Sequence, residues 1–183
     1  MLLSVLLIII IGVIALYIIY LFNSLIRLKN EVKNAWAQIE VQLKRRYDLI
    51  PNLVETVKGY AKHERELLEK ITEARAAVMK ATSVGEKAKA SNMLSETLKS
   101  LFAVAENYPQ LKANENFLQL QEELTGTENK IAYARQHYND MVMLFNNRIQ
   151  VFPARLFANM LGFQQQEMFS APEPAKEPVK VKF

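Results

Sequence analysis

The sequence predicts an all-α protein in which an N-terminal transmembrane helix continues into an antiparallel up-and-down four-helix bundle. Three observations predict it. Residues 2–22, LLSVLLIIIIGVIALYIIYLF, carry no charged side chain. Beyond them, apolar residues recur at three- and four-residue intervals, the repeat of one helix face. Only five glycines and six prolines occur in 183 residues, and Pro172, Pro174 and Pro178 crowd into the tail, so long stretches are free of helix breakers.

The first element is the anchor, residues 1–24. At about 1.5 Å rise per residue its apolar run covers roughly 30 Å, the hydrocarbon thickness of a bilayer. No basic leader and no small-x-small cleavage pattern surround Phe22, Asn23 and Ser24, so the segment is expected to be retained. Tyr17 and Tyr20 fall at its end, where amphipathic rings favour an interface. Arg27, Lys29 and Lys33 follow it and no Lys or Arg precedes it. By the positive-inside rule this places the N-terminus outside and the rest in the cytoplasm, as a single-pass membrane protein.

The bundle is expected over residues 25–150. Leu28, Val32, Ala35, Trp36, Ile39 and Leu43 extend the first helix in amphipathic form. Pro51 lacks the N–H of a helix interior and Asp48 can cap a new start, so a turn or kink is predicted over residues 47–51. A second helix follows through Leu53, Val57, Leu68, Ile71 and Val78, with Gly85 as its stop. A third covers residues 86–107, closed by Pro109. The fourth carries a seam of Phe117, Leu120, Leu124, Thr127, Ile131, Ala134, Tyr138, Met141 and Phe145. Four such helices on short connections bury their apolar faces against one another.

That topology returns the chain to the bilayer surface. There, residues 151–169 place Phe152, Leu156, Phe157, Met160, Leu161 and Phe163 in a segment too short to span a membrane, which either docks on headgroups or a partner or closes the end of the bundle. Residues 170–183, proline-rich and charged, read as a disordered tail.

Catalytic chemistry finds little material. The net charge of +4 is spread without a basic stripe, so nucleic acid is not an expected partner. Cysteine is absent, which excludes disulfides and thiolate chemistry. HEREL at His63 opens like a zinc-protease helix, but the second ligand position holds Leu67. Neither His63 nor His137 has a glutamate three residues before it, as a di-iron bundle needs. No glycine-rich phosphate loop occurs. No catalytic residue, cofactor or metal is expected. Thr127, Glu128, Arg135, Tyr138 and Asn139 share a helical face and predict a polar network that fixes register, with a ligand site as the alternative. Lys44, Arg45 and Arg46 form either a solvated face or a grip on an acidic partner.

Three stretches carry a resemblance: AWAQIEVQLKRRYDLIPNLVETVKGYAKHE, then AENYPQLKANENFLQLQEELTGTENKIAYARQHYNDMVMLFNNRIQVFP, then GFQQQEMF. Together they resemble the bacterial LemA family of membrane-anchored proteins over about residues 20–170. The resemblance implies a transmembrane helix and a four-helix bundle with the N-terminus outside, held in the bacterial inner membrane. It supplies no catalytic residue. It associates relatives with membrane organisation and some with a membrane metalloprotease. The expected role is a non-enzymatic, membrane-anchored scaffold that self-associates or docks partners, with the lipid bilayer and a second copy as partners. The alternatives are an accessory subunit or adaptor of a metalloprotease and a membrane-organising protein.

Overall fold

The computed structural model describes residues 2–61 and 63–170, and among them every regular element is a helix. These are α1 (Leu2–Lys58), α2 (Arg65–Lys80), α3 (Val84–Ala105), α4 (Pro109–Lys112), α5 (Glu115–Gln150) and α6 (Ala154–Met160). The start of α1 is long and apolar enough to cross a membrane, and between Leu2 and Tyr20 no side chain is buried. From Leu21 onward α1 acquires a buried stripe without any break in the helix.

The turn expected at residues 47–51 is absent. α1 runs through Pro51 to Lys58, so Ile50, Leu53, Val54 and Val57 belong to the first helix rather than the second. Pro51 has no N–H to give the carbonyl of Tyr47 one turn earlier. Arg75 of α2 fills that vacancy: its Nε donates to the Tyr47 oxygen at 3.2 Å, and its guanidinium lies 3.7 Å from the Tyr47 ring centroid. The proline is exposed, so its ring meets solvent. The chain reverses later, between the end of α1 at Lys58 and the start of α2 at Arg65.

Gly85 does not stop the second helix either. α2 ends at Lys80, and Gly85 lies in the first turn of α3, opened by a capping box. Ser83 Oγ accepts the Glu86 N–H at 3.1 Å while the Glu86 carboxylate accepts the Ser83 N–H at 3.2 Å. The Thr82 N–H, 2.9 Å from the same carboxylate, and the Ser83 N–H together hold the Glu86 carboxyl below its ordinary value. α5 is opened by Asn114, whose Oδ1 accepts the Phe117 N–H at 2.9 Å.

Contacts fix the directions of the helices. Trp36 faces Tyr138 and Arg46 faces Glu128, so α5 runs antiparallel to α1. Lys87 pairs with Glu40 and Ser91 with Arg46, so α3 runs parallel to α1. α2 is antiparallel to both. Two apolar clusters result. The first joins Leu21–Leu43 of α1 to Ile131–Ile149 of α5, α6, Phe163 and Phe169. The second gathers Ile50–Val57 of α1, α2, most of α3's buried face, Leu111, Phe117 and Leu124. Of the predicted α5 seam, Leu120 and Met141 are only half-buried, and Val142 takes a buried place instead.

Gly126, in mid-α5, has nothing within 4 Å of where a Cβ would stand. Gly126→Ala should therefore stabilise the chain by about 0.5–1 kcal/mol through backbone entropy, measurable as a raised thermal midpoint.

Candidate functional site

Between the two apolar clusters lies a polar layer centred on Arg46, which is 1% exposed. Arg46 occupies a seam position, seven residues beyond Ile39 and four before Ile50, so helical geometry drives its guanidinium inward. Nη1 donates to Glu128 Oε1 at 2.7 Å and to Ser95 Oγ at 2.9 Å, and Nη2 donates to Ser91 Oγ at 2.8 Å. Ser95 Oγ in turn lies 2.8 Å from Glu128 Oε2. Thr127, also buried, returns its hydroxyl to the Glu123 carbonyl of its own helix at 2.7 Å. The layer ties α1, α3 and α5 at one level, and sliding any of them would strand the buried cation. Arg46 is thus neither a solvated residue nor a grip on an outside acid. Arg45 stays half-exposed 3.8 Å from Glu123, and Lys44 pairs with Asp48 on the surface.

The five residues expected to form one network divide into two groups. Glu128 and Thr127 belong to the Arg46 layer. Arg135, Tyr138 and Asn139 instead hold an extended strap, residues 163–170, that follows α6. Asn139 accepts the Phe169 N–H on Oδ1 at 2.8 Å and donates to the Phe169 carbonyl at 3.0 Å. Asn146 does the same to Gln166, at 2.8 and 2.9 Å. Seven residues of helix and three of extended chain both advance about 10 Å, so the two amides match the strap's repeat. Tyr138 donates to the Glu167 carbonyl at 2.8 Å, and Arg135 Nη2 to the Ser170 carbonyl at 3.1 Å. Burial, then the Glu167 charge, pushes the Tyr138 hydroxyl up, keeping it a donor. Burial draws the Arg135 guanidinium down, Arg46 adds to this and Glu128 opposes it. The guanidinium covers the Phe169 ring at 4.6 Å.

Asn139→Ala combined with Asn146→Ala removes all four amide bonds to the strap. Hydrogen exchange at Gln166 and Phe169 should then accelerate at least tenfold, about 1.4 kcal/mol. Mid-α5 amides should keep their protection.

Residues 151–169 are therefore not one surface helix. α6 ends at Met160; two residues on, Gly162 takes a φ of +71° that suits glycine, and the Phe163 N–H reaches back to the Ala158 carbonyl at 3.0 Å. That turn drives Phe163 inward, 9% exposed, against Phe22 and Phe145, so it leaves the expected interface set. Phe157 is half-buried on the first cluster. Phe152, Leu156, Met160 and Leu161 are exposed. Of the tail expected from residue 170, all but Ser170 lies outside the described residues. Sequence reasoning missed Ser91, Ser95 and Asn146. The seven-residue step from Asn139 to Asn146 was the available signal, but its partner is extended chain with no repeat.

The Arg46 guanidinium is committed to three side chains and the amides to backbone. Comparison with known proteins agrees on kinship: the LemA family model matches residues 35–183. The chain belongs to the LemA family. Protein LemA of Metamycoplasma hominis is 30% identical over 155 residues, covering 82% of this LemA-family chain and 69% of that protein. Magnetosome proteins MamQ 2 and MamQ 1 of Paramagnetospirillum magneticum are each 21% identical over 184 residues, covering 86% of the chain and 68% of each relative. The matched family region takes in both the Arg46 layer and the strap.

Proposed function

We propose that this LemA-family chain is a non-enzymatic membrane-anchored module, an up-and-down four-helix bundle that self-associates or docks partners at the cytoplasmic membrane face, N-terminus outside. The observation that carries this reading is the continuity of α1 from Leu2 to Lys58. A single rod joins the exposed apolar stretch to the packed helices, so the domain is held at a set distance from the bilayer. A docking surface is offered by the shallow α1/α5 groove of about 500 Å³, where Val41 and Tyr133 are 62% and 75% exposed. Photo-crosslinking from these two positions in intact membranes tests it. Adducts with a second copy or a membrane protein are expected, and a strictly monomeric chain with no adduct at either position would contradict it.

A membrane-organising role is the second reading. It is supported by the exposed apolar face of α6 and by kinship with proteins named for the magnetosome.

A further inference from the structure

The antiparallel register that sets Trp36 beside Tyr138 and Arg46 beside Glu128 also brings Gln150 level with Ser24. α6 and the start of the strap therefore lie beside the last turns of the exposed apolar stretch, with Phe163 6.4 Å from the Phe22 ring. α3 does not reach this level, since its first-turn Lys87 already pairs with Glu40. This end is built from α1, α5, α6 and the strap.

Two properties set it apart. The first is charge: residues 1–30 hold Arg27 and Lys29, residues 141–166 hold Arg148 and Arg155, and neither stretch contains a carboxylate side chain. Arg148 Nε is buried without a hydrogen-bond partner. Arg155 lines a recess of about 430 Å³ with Gln150, Asn159, Gln164 and Gln165, a guanidinium among amides. The second is the stripe Phe152, Leu156 and Met160, at four-residue steps and 81%, 57% and 82% exposed, opposite the buried Ala154 and Ala158.

We propose that this end is a headgroup site for an anionic phospholipid. The phosphodiester sits in the recess against Arg155, and an acyl chain lies along the exposed stripe of Phe152, Leu156 and Met160. A guanidinium flanked by amide donors suits a phosphodiester, which accepts on two oxygens and carries one charge. The aliphatic and aromatic face beside it suits a lipid rather than a free anion. The proposal rests on the reading that the apolar stretch crosses a bilayer.

The chain has no cysteine, so spin labels can be placed singly on the full-length protein at Tyr17→Cys, Met160→Cys and Tyr133→Cys. Reconstituted in phosphatidylcholine with or without phosphatidylglycerol, the labels report depth through oxygen against nickel-chelate accessibility. Labels at 17 and 160 should sit in lipid and the one at 133 in water, with position 160 deepening when phosphatidylglycerol is present. Arg155→Gln should weaken phosphatidylglycerol enrichment around the protein about fivefold and leave position 17 unchanged. Inorganic phosphate should not compete. A wet label at 160 with position 17 in lipid overturns the lipid site while leaving the anchor intact. A wet label at 17 overturns both. Competition by phosphate, or enrichment untouched in Arg155→Gln, also overturns it.

Discussion

Glu128→Leu should destabilise the folded chain by about 3–5 kcal/mol, because it leaves the Arg46 cation buried without its counter-charge. Ser91 and Ser95 remain, but two neutral hydroxyls do not replace a carboxylate 2.7 Å away. Arg46→Met should cost less. Glu128 keeps 32% of its side chain in solvent and can be hydrated, and Ser95 can fall back on the Ser91 carbonyl of its own helix, 3.1 Å away. The double variant should return to within about 1–2 kcal/mol of the parent, since an apolar pair of similar volume often substitutes for a buried ion pair. Thermal unfolding of the detergent-solubilised full chain, followed by helical circular dichroism, ranks the three. If Glu128→Leu unfolds no earlier than Arg46→Met, the guanidinium is hydrated and the layer does not set the register.

Arg75→Ala should cost about 2–3 kcal/mol, combining the lost bond to the Tyr47 carbonyl, the lost stacking on its ring and the lost packing of the arginine stem. The cause is specific and can be isolated. Pro51→Ala restores an N–H for that carbonyl, so in its background Arg75→Ala should cost about 1 kcal/mol less. A double-mutant cycle by chemical denaturation reads the difference. Equal costs in both backgrounds would show that Arg75 acts through packing alone.

Pro51 also shows how sequence and structure part company. A proline and a capping residue are strong local signals for a helix end, and the local rule was overridden by a side chain from a different helix, 24 residues further along. A helix that stops there ends its seam at Leu43 and leaves Arg46 on a solvated face. In the unbroken helix the same three- and four-residue steps run from Leu43 to Arg46 and Ile50 and place the arginine inside. Periodicity therefore made the helices legible, including most of the α5 face from Phe117 to Phe145. It also placed Glu128, Arg135, Tyr138 and Asn139 on an inward flank. What it could not show was their partners. Arg135, Tyr138 and Asn139 bind backbone groups of residues 167–170, and a backbone carbonyl carries no residue-type signal. The inward turn of Phe163 is equally silent in the apolar pattern, because it depends on the left-handed conformation of Gly162.

The account rests on the exposed apolar start of α1 lying in a bilayer. Alkaline carbonate extraction of membranes from cells producing the full-length chain tests this most directly. The chain should stay in the pellet at the size set by all 183 residues. Release into the supernatant, or recovery of a soluble species shortened to begin near Ser24, would contradict it.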